Sequence, residues 1–171
     1  MSRTGFAFLS FLILLSASCY KGHGLDPSAP ESGSGIQGKV IFKGDWPDST
    51  NQVLVIVSRT YPAGMTDRDS MLAFVVRNLT SGSIVIGDTI PKFSGTYDFK
   101  VDLQPGMYEW VLVAWFPEDI LGVKELGAFY RDPQKQTLPS SIEVLPGVVV
   151  QGLNIVADFA NIKRSVPFFK R

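Results

Sequence analysis

The sequence has few of the residues that nucleophilic and metal chemistry require. Its 171 residues include one cysteine, Cys19, and one histidine, His23. A single cysteine excludes an intramolecular disulfide, and a lone histidine without neighbouring ligands does not make a metal site or a catalytic pair. The formal net charge is zero, with 16 basic and 16 acidic residues. Composition therefore predicts neither a metalloprotein nor a nucleic-acid-binding protein.

The N-terminal apolar run is too short to span a bilayer. Residues 6–15 are apolar apart from Ser10, Arg3 precedes them, and small residues occupy positions 16–18. A charged residue, an apolar run of about ten and a small-residue cleavage region are typical of a secretory signal peptide. We therefore predict a signal peptide over residues 1–18.

Cys19 directly follows the small residues. This arrangement resembles the lipobox of bacterial lipoproteins, in which the cysteine is lipidated and becomes the new N-terminus, although Ser16 stands where that motif usually has an aliphatic residue. An ordinary signal peptide cleaved nearby is the alternative. Because an unpaired thiol is a liability in an oxidising compartment, we favour lipidation of Cys19. The resemblance implies the bacterial cell envelope, and Tyr20 after the cysteine favours the outer membrane.

Two flanking segments differ from the body of the chain. Residues 19–35 are rich in Gly, Ser and Pro without apolar periodicity, which predicts a flexible tether. Residues 163–171 contain four basic residues and no acidic one. Without Arg3 and these four residues, the rest of the chain has 11 basic and 16 acidic residues and is therefore acidic. The basic tail is either a frayed end or a segment folded onto this acidic body, or it lies on anionic headgroups beside the lipid anchor.

Between these segments, residues 36–162 predict one all-β domain. Residues 36–42 and 96–103 alternate between apolar and polar, as half-buried strands do, whereas 53–57 and 107–116 are apolar on both faces. We predict seven to nine strands in a single antiparallel Greek-key β-sandwich, with 107–116 as a central strand and no convincing helix. The first two strands are expected to form a hairpin, and the Pro105-Gly106 turn is expected to pair 96–103 with 107–116.

Short patterns carry a resemblance to known sandwiches. Tyr108, just after Pro105-Gly106, resembles the tyrosine corner of Greek-key sandwiches, in which the hydroxyl bonds to backbone upstream; a plain core tyrosine is the alternative. Together with Ile36-Gln37-Gly38-Lys39-Val40 and Pro146-Gly147-Val148-Val149-Val150, the order of elements resembles prealbumin-like or immunoglobulin-like sandwiches of the carboxypeptidase regulatory type. The resemblance implies an accessory domain that binds or stabilises and does not catalyse.

The sequence contains no catalytic motif that would indicate an enzyme. The transthyretin-like hydrolases of the same fold use histidines, an arginine and a C-terminal tyrosine-containing motif, and this sequence lacks that set. Acidic pairs in loops have the oxygen ligands that calcium prefers, but none follows a complete calcium-loop pattern. We predict no enzyme, no cofactor and no metal site. The acidic pairs are Asp45 with Asp48, Asp67 with Asp69, and Glu118 with Asp119.

Aromatic residues are the candidates for ligand binding. Trp46, Tyr61, Trp115 and Tyr130 lie in loops or near strand ends, and Trp46, in a Gly-Asp-Trp-Pro-Asp turn, is predicted to be exposed. Core or edge packing of all four is the alternative. Trp110 is expected to pack on one face of the central strand and Trp115 on the other.

Two functions remain open after these observations. The first is a non-catalytic binding or structural module, held at a membrane surface by the lipid anchor, with an envelope protein as partner. The second is a carbohydrate-binding module that recognises envelope polysaccharide through the exposed aromatics. A transthyretin-like hydrolase is a distant third, and nucleic acid is not an expected partner.

Overall fold

In a computed structural model, the structure describes residues 33–65, 67–118, 122–132, 134 and 138–163. The predicted signal peptide, Cys19, His23 and residues 164–171 of the basic tail lie outside the described residues. Within those ranges the chain forms nine strands, one α-helix and a 3-10 helix at Phe159–Lys163: β1 (Gly35–Lys43), β2 (Thr50–Ser58), α1 (Arg68–Thr80), β3 (Ile84–Thr89), β4 (Thr96–Asp102), β5 (Gly106–Tyr108), β6 (Trp110–Pro117), β7 (Lys124–Ala128), β8 (Ile142–Val144) and β9 (Val149–Asp158).

The predicted all-β sandwich is confirmed. Among the described strands, β4-β1-β9 form one sheet, β3-β2-β6-β7 form a second, and β5 pairs with β8 in a short ribbon. All pairings are antiparallel except that of β1 with β9, which is parallel. The first two sheets pack face to face, because strands with alternating apolar residues bury one face each.

Both predicted neighbour pairings were wrong. β1 and β2 do not form a hairpin, since β1 pairs with β4 and β9 whereas β2 pairs with β3 and β6. Likewise β4 does not pair with the strand that follows the Pro105-Gly106 turn. The loop after β1 carries the chain to the other main sheet, and the connection after β4 leads to β5 of the ribbon and then to β6 of that other sheet.

The core lies between the two main sheets. Every second residue of β6 points into it, and Val111, Val113 and Trp115 are all at most 5% exposed. The opposite face of β6 carries Trp110 and Leu112, which belong to a second apolar cluster on the outer side of the sheet. The prediction that 107–116 is apolar on both faces and central is confirmed for β6, and so is the placement of Trp110 and Trp115 on opposite faces.

Residues 68–80 form a helix, which the sequence analysis missed. The side chain of Asp67 accepts a hydrogen bond from the Ser70 backbone N–H at 2.8 Å and so caps the first turn. Met71 is buried, and Phe74 packs on the outer cluster of the second sheet. This helix therefore covers part of a sheet face that would otherwise expose Trp110 to water.

The sandwich has two distinct ends. At one end the chain enters β1 beside both Pro-Gly turns: the Leu103 N–H donates to the Ser34 carbonyl at 3.0 Å, and the Gly147 N–H donates to the Ser34 hydroxyl at 2.8 Å. We call this the entry end. β1 runs from there for nine residues, or about 26 Å, to the opposite end, where loops 44–49 and 90–95 meet.

Candidate functional site

The four aromatic residues singled out in the sequence do not meet in one place. Trp115 is only 5% exposed and lies in the core, where its indole Nε1 donates a hydrogen bond to the Thr50 hydroxyl at 2.8 Å. A ring held in this way is not available at the surface. Trp115 is therefore a packing residue, which agrees with the alternative left open for it.

Tyr61 and Tyr130 lie elsewhere, on the outer face of the second sheet. Both are half-buried and pack on the outer cluster, and the ring of Tyr61 meets that of Trp110 edge-on with centroids 5.6 Å apart. Burial, and to a lesser extent the charge of Glu125, raise the pKa of Tyr61 above its ordinary value. These contacts make Tyr61 and Tyr130 covers of an apolar cluster rather than a separate binding surface.

Trp46 lies at the end opposite the entry end and is half-buried, not exposed as predicted. Its indole packs between Phe42 of β1 and Phe159 of the 3-10 helix, each with ring centroids 4.8 Å away. Phe93, from the loop between β3 and β4, lies 6.2 Å from it. We call these four residues the aromatic end cluster.

Hydrogen bonds between loops hold this cluster in place. The indole Nε1 of Trp46 donates to the Ser94 carbonyl at 3.1 Å, and the Phe42 backbone N–H donates to the Gly95 carbonyl at 2.9 Å. The Ser94 hydroxyl in turn donates to the Pro91 carbonyl at 2.7 Å. Each bond satisfies a polar group next to apolar rings, so the loop that carries Phe93 is fixed relative to Trp46.

Phe93 is the residue of the cluster that the sequence did not reveal. Its side chain is 73% exposed, the highest value among the exposed large apolar residues, and its φ is +64°. In the described chain it is the single residue other than glycine with a positive φ. The left-handed conformation costs a non-glycine residue about 1–2 kcal/mol, and no deep burial of the ring offsets this cost.

Such an arrangement suits contact with another molecule. Backbone strain concentrates at binding and active sites, where the surrounding structure holds a residue in an unfavourable conformation for a purpose. An exposed ring that is rigidly held next to a half-buried tryptophan offers a flat apolar surface with little entropy left to lose on binding. No sequence signal identified Phe93, because nothing in Pro91-Lys92-Phe93-Ser94 predicts a left-handed phenylalanine.

Metal chemistry has no cluster of ligands in the described part of the chain. Nowhere among those residues do three His, Cys, Asp or Glu side chains come close enough to hold an ion. Asp45 and Asp48 are both exposed to water in the loop that carries Trp46. The aromatic end cluster therefore consists of apolar rings beside solvated charges.

Comparison with known proteins does not extend this description. Neither a protein-family model, nor a curated protein, nor a solved structure matches the chain. In the described ranges, neither helix has the length and apolar character needed to cross a membrane.

Proposed function

We propose that this chain is a non-catalytic lipoprotein of the bacterial cell envelope, anchored through Cys19, whose β-sandwich presents the aromatic end cluster to an envelope partner. The anchor is supported by the sequence pattern around Cys19 and by the resemblance to lipoproteins. The accessory role is supported by the resemblance to carboxypeptidase regulatory-like domains.

The observation that carries the binding role is the conformation and exposure of Phe93. A mobile loop would relieve the left-handed strain, whereas here hydrogen bonds from Trp46 and Phe42 hold the loop, and the Ser94 hydroxyl adds a bond within it. The cluster also lies about 26 Å from the entry end along β1. A domain tethered at its entry end would keep this surface accessible to a partner away from the membrane.

A pull-down from solubilised envelope tests the binding role. The detergent-solubilised mature protein is compared with Phe93→Ala and with a control, Val76→Ala, which removes a 54% exposed side chain from α1. We expect a defined partner to be retained by wild type and by the control and lost with Phe93→Ala. Equal capture by all three proteins would place the partner elsewhere on the domain.

Carbohydrate binding is the second candidate, and the exposed Phe93 ring beside Trp46 favours it. Sugar rings stack their C–H faces on aromatic side chains, and loops 44–49 and 90–95 carry charged and hydroxyl groups that are able to bond sugar hydroxyls. This candidate and an envelope-protein partner use the same surface, so a pull-down variant alone does not separate them.

Tryptophan fluorescence separates the two candidates. Trp110 and Trp115 are 2% and 5% exposed, so quenching by a small solute in water reports mainly on Trp46. If the ligand is a polysaccharide, soluble fragments of envelope polysaccharide or peptidoglycan should protect Trp46 from quenching, and Trp46→Ala should abolish their binding. Absence of protection, together with capture of a protein, favours the first function.

The anchor has its own test. In a bacterial host, metabolic labelling with palmitate should label the wild-type protein and not Cys19→Ser. A wild-type protein without label would support the alternative, an ordinary signal peptide with a free thiol, and would leave the binding role of the aromatic end cluster unaffected.

A further inference from the structure

We propose that the entry end of the sandwich rests on the lipid surface through Met107, Leu145 and Val148, which we call the entry-end apolar patch. The inference depends on the proposed lipid anchor. It adds an orientation: the domain lies on the membrane by a defined apolar contact and directs the aromatic end cluster away from it.

Strand register places the three side chains on one surface. Met107 of β5 lies opposite Glu143 of β8, with Tyr108 and Ile142 as the neighbouring buried pair. Because side chains alternate along a strand, Leu145 follows Glu143 on the same outer face as Met107. The Val148 N–H donates to the Leu145 carbonyl at 3.1 Å and so brings Val148 beside it.

These apolar side chains are exposed although their backbone is firmly held. Met107, Leu145 and Val148 are 49%, 51% and 43% exposed. Yet the turn between Leu145 and Val148 bonds to Ser34, which is itself only 3% exposed. The Gly35 N–H also donates to the Val148 carbonyl at 3.1 Å. A rigid turn that displays apolar side chains suits an apolar contact, since little conformational freedom is lost when it forms.

The point at which the chain enters the domain indicates what this patch meets. Thirteen residues separate Cys19 from Gly33, and a coil of that length has a root-mean-square span of about 20 Å. A lipidated Cys19 would therefore hold the entry end close to the bilayer at a high effective concentration. The aromatic end cluster would lie about a further 26 Å away along β1.

Charge distinguishes this contact from a headgroup interaction. The charged side chains at the entry end are of both signs: Glu143 lies opposite Met107, Asp102 pairs with Lys100 at 3.3 Å, and the Arg59 guanidinium donates to the Pro105 carbonyl at 3.4 Å. These opposite charges offset one another, so they present no excess of positive charge to an anionic membrane. We expect the apolar contact to form on neutral phosphatidylcholine and not to strengthen with anionic lipid.

Site-specific fluorescence in vesicles tests this orientation. The lipidated protein is reconstituted into phosphatidylcholine vesicles with a polarity-sensitive label at Leu145→Cys or, as the control, at Phe93→Cys. Because lipidation consumes the Cys19 thiol, each variant carries one label. We expect quenching by a lipid-borne quencher to be several-fold stronger at position 145 than at 93, with a blue-shifted emission at 145 only.

A second pair of variants tests the patch itself. Met107→Glu should reduce the quenching of a label at Val148→Cys severalfold, whereas Ile86→Glu, which charges a 48% exposed site on β3, should leave it unchanged. Equal quenching at 145 and 93, stronger quenching at 93, or no effect of Met107→Glu would overturn the inference. A blue shift at 145 that persists in detergent and depends on protein concentration would instead show contact between two copies and would also overturn it.

Failure of the anchor is visible in the same experiment. A wild-type protein that accepts the thiol label has a free Cys19, and the proposed lipoprotein function then fails. A wild-type protein that refuses the label but shows no contact at 145 keeps its anchor and loses only the orientation proposed here.

Discussion

Gly127 of β7 lies directly against the backbone carbonyl oxygen of Val156 of β9, across the gap between the two main sheets. A Cβ atom at position 127 would overlap that oxygen and the carbonyl carbon behind it. The register of β6 with β7 also shifts at this point, between Val113 and Ala114. The register therefore breaks beside the glycine that permits this close approach.

Gly127→Ala should therefore destabilise the domain by about 3 kcal/mol, at the upper end of what overpacking usually costs, because the neighbouring atom is backbone and cannot rotate away. Gly95→Ala is the matched control, since a Cβ there meets no atom within 4 Å and the φ of Gly95 is not positive. Urea unfolding monitored by circular dichroism measures both. Similar midpoints for the two variants would show that β7 and β9 separate easily.

The bond between Trp115 and Thr50 predicts a cost for Thr50→Val. The substitution keeps the side-chain shape but leaves the buried indole N–H without its acceptor, which should cost about 1–3 kcal/mol. Trp115→Phe in the Thr50→Val background removes the unsatisfied donor. If the bond is responsible, the two changes together should cost less than the sum of the single changes in a double-mutant cycle.

The hydrogen bond of the Tyr108 hydroxyl should contribute to the stability of the domain at the entry end. Its hydroxyl donates to the Gln104 carbonyl at 2.8 Å, which confirms the tyrosine-corner interpretation, and the Arg59 guanidinium lies 4.7 Å from its ring centroid. Tyr108→Phe retains the ring and loses the bond, so we expect a loss of about 1 kcal/mol in unfolding free energy. Tyr97→Phe, on the half-buried face of β4, is the control and should lie within about 0.5 kcal/mol of wild type.

Substitution of Phe93 should abolish partner binding without lowering the stability of the domain. Phe93→Gly relieves the left-handed strain, which stabilises the folded domain by about 1–2 kcal/mol. It also raises the conformational entropy of the unfolded chain, which destabilises the folded domain by about 0.5–1 kcal/mol. We expect the variant to be as stable as wild type or up to about 1 kcal/mol more stable, while partner capture is lost. Phe93→Ala keeps the strain and should be no more stable than wild type. A marked loss of stability in Phe93→Gly would assign the ring a packing role instead.

The Asp67 cap of α1 should make the stability of the domain depend on pH. The hydrogen bond from the Ser70 backbone N–H holds the pKa of Asp67 below the ordinary value of 3.8 that this carboxyl has in the unfolded chain. A lowered pKa in the folded state means that ionised Asp67 contributes stability above pH 3.8 and that this contribution disappears as the pH falls through the folded pKa. Asp67→Asn keeps an acceptor without the charge. The difference between the urea midpoints of wild type and Asp67→Asn should be constant from pH 7 to about 5 and shrink below 3.8; a difference independent of pH would contradict the assignment.

Some of the candidate site was readable from the sequence and some was not. Trp46 was identified because a tryptophan in a Gly-Asp-Trp-Pro-Asp turn is unusual, but its partial burial depends on Phe42 and Phe159, which β1 and the 3-10 helix bring to it from distant positions. Phe93 was missed because backbone conformation in a loop depends on which neighbours hold it. The sequence predicted no helix, yet the Asp67 cap and the burial of Met71 stabilise one at residues 68–80.

Local sequence patterns were sufficient to predict a β-sandwich, the position of most strands and the faces that they bury, because alternation along a strand is a local property. They also predicted the Pro105-Gly106 turn and the tyrosine corner, whose bond spans only four residues. The pairing of the strands, the parallel course of β1 and β9 and the contact of Phe93 with Trp46 become visible only in the folded domain. Those outcomes depend on contacts between residues far apart in the chain, and alternating apolar strands are compatible with several partners until the whole core is assembled.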